Sequence, residues 1–240
     1  VGTTEEDYQG NPARAEISQA EIDYLCQCFN QSFEKQITPE DIRWSYSGVR
    51  PLFDEGLDEG EENATAATRD YKIHHHGEFS SPLLSVFGGK LTTYRTLCEE
   101  VVNKLMGLSG SDAKPWTKGA VLPGGDIQGG DMQGADYDAF VTAKAKRYDW
   151  LPVDLLMRYC RAYGTRMDEF LRDAKSLEDL EPHYGDDVYD RELRYLLREE
   201  FARTADDILW RRSKLGLHIT EETRQNLEIA IPKLKQEYGL

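Results

Sequence analysis

With 240 residues the chain is long enough for one or two domains with a buried core. Its net charge of −15 argues against a general nucleic-acid-binding surface, although a few convergent cations would be enough to bind an anionic metabolite. No apolar run reaches the roughly 18 residues that a membrane span requires. The four cysteines are too few and too scattered for a disulfide framework, which favours free thiols in a reducing cytoplasm.

The first half of the chain mixes helical and strand patterns. A capping box formed by Ser18 and Glu21 begins an amphipathic helix, which we predict over residues 19–33. A strand is predicted over 44–52, and the run 54–62 that follows contains six acids. Such a run is typical of a solvated loop and lacks the regular alternation of a calcium loop.

Two further strands and a helix follow. Residues 69–76 and 82–87 are predicted to pair as strands around Gly77, and a helix over 92–105 is predicted to pack against them. Three consecutive histidines occur at 74–76, but neighbouring side chains of a strand point to opposite faces, so all three cannot bind one ion tightly. We therefore predict no metal site.

The connection between the second of these strands and the helix has the strongest functional signal. Gly88 and Gly89 are followed by Lys90 and two threonines, at the point where the helical pattern begins. Glycines at such a turn let backbone approach a ligand closely, and a helix start attracts anions. Lys90 adds a point charge there. The simpler interpretation is a tight turn capped by Thr92.

The composition changes after Met106. Residues 107–134 are rich in glycine and proline, and the chain beyond them is strongly helical. We predict helices over 137–148, 152–163, 166–174, 187–202, 205–214 and 221–238, the last interrupted or kinked at Pro232. The predicted domains are therefore 1–110, a linker over 111–125 and a helical domain over 126–240.

Three cations lie at boundaries of predicted strands. They are Arg50, Arg69 and Lys90. One sheet could bring these strand ends together as a clamp for a phosphate or carboxylate, with arginine supplying bidentate geometry.

Several longer phrases of the sequence carry a family resemblance. Residues 44–52, 68–71 and 83–95 read WSYSGVRPL, TRDY and LLSVFGGKLTTYR. In order and spacing they resemble FAD-dependent glycerol-3-phosphate dehydrogenases. The phrases WT at 116–117, LPGG at 122–125 and ADDILWRR at 205–212 resemble the C-terminal domain of that family. The resemblance implies an α+β fold class: the C-terminal part of a glutathione-reductase-like fold that binds FAD and substrate, followed by an all-α domain.

The resemblance also implies a reaction. The family oxidises sn-glycerol 3-phosphate to dihydroxyacetone phosphate, transfers the hydride to FAD and passes electrons to quinone. Carried over to this sequence, the substrate-binding residues are Arg50, Arg69 and Lys90. The cofactor-binding residues are Gly88, Gly89, Lys90, Leu91 and Thr92. No catalytic base is assigned.

The chain lacks the Gly-x-Gly-x-x-Gly turn that opens a dinucleotide-binding fold. We therefore expect a C-terminal portion that alone binds flavin weakly at most and is inactive. The full-length protein is expected to be cytoplasmic, to associate peripherally with the inner membrane, to form a possible homodimer and to bind no nucleic acid. The alternatives are a glycerophosphate oxidase that uses oxygen, and a non-catalytic helical module for oligomerisation or membrane docking.

Overall fold

The computed structural model describes residues 1–49, 70–77, 83–110, 114–127 and 134–239. The chain divides into two units, Val1–Ala120 and Val121–Leu240. None of the helices within the described ranges combines the length and the apolar character needed to cross a bilayer.

Within its described residues, the first unit contains two α-helices and one hairpin. Helix α1 spans Gln19–Ser32. Its predicted capping box is confirmed, because Ser18 Oγ accepts from the Glu21 N–H at 3.3 Å and Glu21 Oε2 accepts from the Ser18 N–H at 2.8 Å. These two bonds satisfy donors that the first turn of a helix leaves open.

The hairpin consists of β1, Lys72–His76, and β2, Leu83–Phe87. They pair antiparallel with His74 opposite Ser85, which confirms the predicted pairing of two strands. Helix α2 follows over Tyr94–Ser109 and begins after a short 3-10 turn, Leu91–Thr93. The predicted strand over 44–52 is wrong for its described residues, 44–49, which form no ladder. A strand needs a neighbour to pair its backbone groups, and sequence pattern alone does not supply one.

The second unit is predominantly helical, as predicted. Its longer helices are α3, Gly134–Arg147; α4, Val153–Tyr163; α5, Met167–Leu171; α6, Asp190–Glu199; and α7, Glu221–Tyr238. Their apolar faces form one core in which Leu155, Met167, Leu193 and Leu227 are almost completely buried. The α7 helix runs through Pro232 without ending there.

The expectation of an all-α second domain is wrong in one detail. A small hairpin pairs β3, His183–Gly185, with β4, Val188–Tyr189. Asp186 and Asp187 at its turn have φ values of +45° and +62°, the left-handed pair that a tight hairpin turn requires. Because β4 belongs to this hairpin, the helix predicted from residue 187 begins only at Asp190.

The helix predicted over 205–214 also differs. Its central residues form a π-helical turn, Asp207–Arg212. Over so short a segment, a π-helical turn and an α-helix place apolar residues at a similar spacing. The periodicity of the sequence therefore did not distinguish the two helix types.

Candidate functional site

The turn between β2 and α2 is built on two left-handed glycines. Gly88 has φ +73° and Gly89 has φ +100°, values that side-chain-bearing residues rarely adopt. A Cβ on Gly89 would still fit, 3.5 Å from Leu97 Cδ2 and 3.6 Å from Tyr71 Cβ. The backbone conformation, not a lack of space, therefore explains the glycine at position 89.

Lys90 occupies the residue before the helical turn, in an extended conformation. The Thr93 hydroxyl donates to the Lys90 carbonyl at 3.0 Å and accepts from the Lys90 N–H at 3.3 Å. The turn is thus closed by Thr93, and the interpretation in which Thr92 caps it is wrong. Thr92 stays exposed instead.

The side chains predicted to line a ligand are open to solvent. Lys90 and Thr92 are exposed, and Leu91 retains 88% of its accessible surface. Among the residues that the structure describes, Lys90 makes no ion pair with an acid, and it lies directly before the first helical turn. This is the arrangement that suits an anionic group of a ligand.

Arg50 and Arg69 lie outside the described residues. The predicted clamp of three cations therefore stays a prediction. The described part of the site is the turn from Gly88 to Thr92.

Tyr71 supports this turn and was not singled out from the sequence. Its Cβ lies beside Gly89, and its hydroxyl donates to Glu100 Oε2 on α2 at 2.9 Å. The same hydrogen bond raises the pKa of Tyr71, because Glu100 accepts from the neutral phenol. The sequence signal for Tyr71 was its position, two residues after Arg69. Its hydrogen-bond partner, Glu100, is 29 residues away and does not follow from local spacing.

The histidines of β1 form a local pair. The rings of His74 and His76 lie 4.5 Å apart between centroids, on one face of the strand as predicted, and His76 Nε2 lies 2.9 Å from Ser85 Oγ. Within the described ranges, no three His, Cys, Asp or Glu side chains come together in a way that could hold a metal ion.

In the second unit, the charged phrase at 205–212 has a structural role. Asp207 accepts from the backbone N–H groups of Arg203 and Thr204, at 3.0 and 2.9 Å, and pairs with Arg211 at 2.9 Å. Burial would raise the pKa of Asp207, but the hydrogen bonds from these backbone groups and from the Thr204 hydroxyl, together with the charge of Arg211, lower it. Asp207 and Arg211 therefore form an ion pair between positions four residues apart.

The first unit thus presents a strand, a glycine turn and a helix start with an exposed cation, an arrangement typical of sites that bind phosphorylated ligands in α/β proteins. Residues 116–240 match the family model described as the C-terminal domain of alpha-glycerophosphate oxidase. The chain belongs to this family. The match covers all of the helical second unit.

Curated relatives extend the similarity to the first unit. The chain is 41% identical over 228 residues to the aerobic glycerol-3-phosphate dehydrogenase of Escherichia coli, covering 95% of this chain and 44% of that protein. It is 42% identical over 228 residues to a glycerol-3-phosphate dehydrogenase of Pseudomonas aeruginosa, covering 95% and 43%. It is 41% identical over 224 residues to the D-erythritol 1-phosphate dehydrogenase of Brucella abortus, covering 93% and 43%.

These matches confirm the resemblance to glycerol-3-phosphate dehydrogenases. The chain spans less than half the length of each of these relatives.

Proposed function

We propose that the chain is the C-terminal portion of an FAD-dependent glycerol-3-phosphate dehydrogenase. The reaction is oxidation of sn-glycerol 3-phosphate at C2 to dihydroxyacetone phosphate. The observation that carries this proposal is the Gly88–Lys90 turn, with its exposed cation at a helix start, in a chain that resembles dehydrogenases of this name along 95% of its length.

Lys90 is proposed to bind the substrate phosphate or a hydroxyl group together with Arg50 and Arg69. A phosphate monoester carries close to two negative charges at neutral pH, so three cations can neutralise it while the arginines fix its orientation. The exposed ammonium group of Lys90 supports this role, since it is not committed to an acid within the described ranges.

FAD fits the same turn. Gly88 and Gly89 present backbone without Cβ atoms, and the exposed side chains of Leu91 and Thr92 follow at the helix start. When bound, the flavin would accept the hydride from the substrate, at its N5 atom. These residues would lie along the flavin and its ribityl chain, and further contacts would come from a dinucleotide-binding half of the glutathione-reductase-like fold. Because this chain lacks the glycine-rich turn of that half, we propose that it binds FAD weakly and is inactive alone.

The electron acceptor in this proposal is membrane quinone, and the enzyme is proposed to be cytoplasmic and held peripherally at the inner membrane, as a monomer or homodimer. An oxidase that passes electrons to oxygen is the alternative that the name of the matched family favours. Relatives of equal identity also include a D-erythritol 1-phosphate dehydrogenase, so a slightly longer polyol phosphate is the second substrate candidate.

The test is steady-state kinetics of the full-length enzyme with Lys90→Met. We expect the KM for glycerol 3-phosphate to rise at least about tenfold, because losing one charge-assisted phosphate contact costs about 1.5–3 kcal/mol. Lys118→Met removes an exposed lysine of the same unit that is not among the proposed site residues and should leave KM unchanged. An unchanged KM in Lys90→Met would contradict the substrate role.

Two further measurements on the same enzyme separate the alternatives. Reduction of a soluble quinone without release of peroxide supports the dehydrogenase, whereas stoichiometric peroxide supports the oxidase. Comparing kcat/KM for glycerol 3-phosphate and D-erythritol 1-phosphate identifies the substrate.

A further inference from the structure

Tyr71 lies where the ladder of β1 and β2 ends and the glycine turn begins. It directly precedes β1, and the pair at that end of the ladder joins Lys72 to Phe87, the residue before Gly88. In an antiparallel ladder the two chains continue past their last pair side by side, so Tyr71 stands at the base of the turn.

The side chain of Tyr71 connects this turn to helix α2. A Cβ placed on Gly89 would lie 3.6 Å from Tyr71 Cβ and 3.5 Å from Leu97 Cδ2, so both side chains lie beside the glycine. At its other end, the Tyr71 hydroxyl donates to Glu100 Oε2 at 2.9 Å. Leu97 and Glu100 are three residues apart on α2 and therefore share one side of the helix. One tyrosine thus bridges the strand end, the turn and the helix.

The backbone of the turn gains its position from contacts on two sides. Gly88 and Gly89 have φ values of +73° and +100°, and glycine has more backbone freedom to lose on folding than any other residue. Thr93 fixes the helix side of the turn through its two hydrogen bonds to the Lys90 backbone. The bond from Tyr71 to α2 fixes the strand side. Together these contacts determine where the Lys90 backbone lies.

We propose that Tyr71 and Glu100 are positioning residues for the phosphate-binding role of Lys90. Their hydrogen bond holds the strand end against α2, and so holds the turn that carries the lysine. Small displacements of a binding group are costly, because the contact depends on the ammonium group meeting the phosphate in one geometry. This inference rests on the proposed function, and it deepens that function by assigning two supporting residues to the same site.

A second hydrogen bond to the neighbouring residue of α2 supplies a matched control. The Thr117 hydroxyl donates to Glu99, so it also joins a distant part of the chain to a glutamate of this helix. Among the described residues, the atoms within 4 Å of a Cβ on Gly89 belong to Tyr71 and Leu97 and not to Thr117. Thr117→Val therefore removes a bond to α2 without removing a contact of the turn.

The experiment measures KM and kcat for glycerol 3-phosphate with the full-length enzyme. Tyr71→Phe keeps the ring and removes the hydroxyl, and we expect KM to rise at least about fivefold while kcat changes less than about twofold. Thr117→Val should leave KM within about twofold of the unsubstituted enzyme. An unchanged KM in Tyr71→Phe, or an equal rise in Thr117→Val, would overturn the positioning role.

Two variants of Glu100 test the same bond from its other end. Glu100→Gln keeps an acceptor oxygen for the Tyr71 hydroxyl and should retain a KM close to that of the unsubstituted enzyme. Glu100→Leu removes the acceptor and should raise KM as Tyr71→Phe does. Because both variants keep the tyrosine, they decide the question even if Tyr71→Phe does not fold. Equal KM values for the two Glu100 variants would contradict the proposal.

A double-mutant cycle with Lys90→Met distinguishes positioning from a general loss of stability. If Tyr71 acts through Lys90, Tyr71→Phe should raise KM less than about twofold once the lysine is gone, whereas independent effects would multiply. The dissociation constant of dihydroxyacetone phosphate, measured by calorimetry on the oxidised enzyme, should follow the same pattern without turnover. Effects that multiply in either measurement would overturn the proposal.

The same cycle separates the two possible failures. An unchanged KM in Lys90→Met refutes the proposed substrate role of Lys90, and the positioning role with it. A raised KM in Lys90→Met, with no effect of Tyr71→Phe or Glu100→Leu, refutes the positioning role alone.

Discussion

Arg158 holds the buried carboxylate of Glu192 with both of its terminal nitrogens, Nη1 to Oε1 at 2.6 Å and Nη2 to Oε2 at 2.8 Å. Glu192 is completely buried, and the Tyr163 hydroxyl donates to the same Oε1. Burial alone would lower the pKa of Arg158, but the charge of Glu192 outweighs it and raises that pKa above its ordinary value. The pair joins α4 to α6 with the bidentate geometry that best offsets the cost of burying charge.

Removing one partner of this pair should be strongly destabilising. Arg158→Met leaves the Glu192 carboxylate buried without a cation, so we expect a loss of about 3–5 kcal/mol in the free energy of unfolding. Urea denaturation followed by circular dichroism measures it. The control is Arg191→Met, which breaks the pair with Asp173, a side chain 84% exposed, and should cost less than about 1 kcal/mol. Equal losses for the two variants would contradict the role assigned to Arg158.

The hairpin of the second unit should make stability depend on pH. The Asp186 carboxylate accepts from the Thr220 N–H, which lowers its pKa most, and from the Thr223 and Thr220 hydroxyls. A carboxyl whose pKa is lower in the folded state stabilises the fold above its unfolded pKa of about 4, and this stabilisation is lost as the pH falls through the folded value.

Asp186→Ala is therefore expected to lower the melting temperature at pH 7, by an amount that shrinks below about pH 4. Thermal unfolding across that range tests it. Asp149→Ala removes an exposed aspartate and should have a small effect throughout. If Asp186→Ala lowers the melting temperature by the same amount down to pH 2, the charged form of Asp186 is not the one that stabilises the fold.

Gly164 should tolerate no side chain. A Cβ at this position would lie 2.0 Å from the Gly124 carbonyl oxygen, and its φ of +53° disfavours other residues. The two backbones meet because the Thr165 N–H donates to that same oxygen at 3.0 Å. We expect Gly164→Ala to cost roughly 2 kcal/mol or more, measured by urea denaturation. Gly107→Ala, with open space around it on α2, should be neutral or stabilising.

Phe201 should be a site where glycine increases stability. It follows α6 with φ +58°, at a position where helices commonly end in glycine, and 72% of its surface is exposed. Phe201→Gly relieves the left-handed strain but adds freedom to the unfolded chain, for a net gain of roughly 0.5–1 kcal/mol. Phe201→Ala keeps a Cβ and should show no gain in the same thermal unfolding measurement. A gain in both variants would point to the loss of the exposed ring instead.

Local sequence patterns predicted much of the fold. The capping box of α1, the pairing of β1 with β2 and the bounds of α7 follow from the spacing and type of neighbouring residues. The hairpin formed by β3 and β4 was missed because its strands have three and two residues, too few to show a period. The candidate site was found only in part, because the support of Gly89 by Tyr71 and Glu100 is a contact between distant positions.

By itself the sequence determined where local structure begins and ends, and that a lysine follows two glycines at the start of a helix. Those features depend on residues a few positions apart. Only the tertiary structure decided that Arg158 pairs with Glu192, 34 residues away, and that the apolar face of α2 stays half exposed. Periodicity identifies an apolar face, but whether that face is covered depends on contacts with residues far away in the sequence.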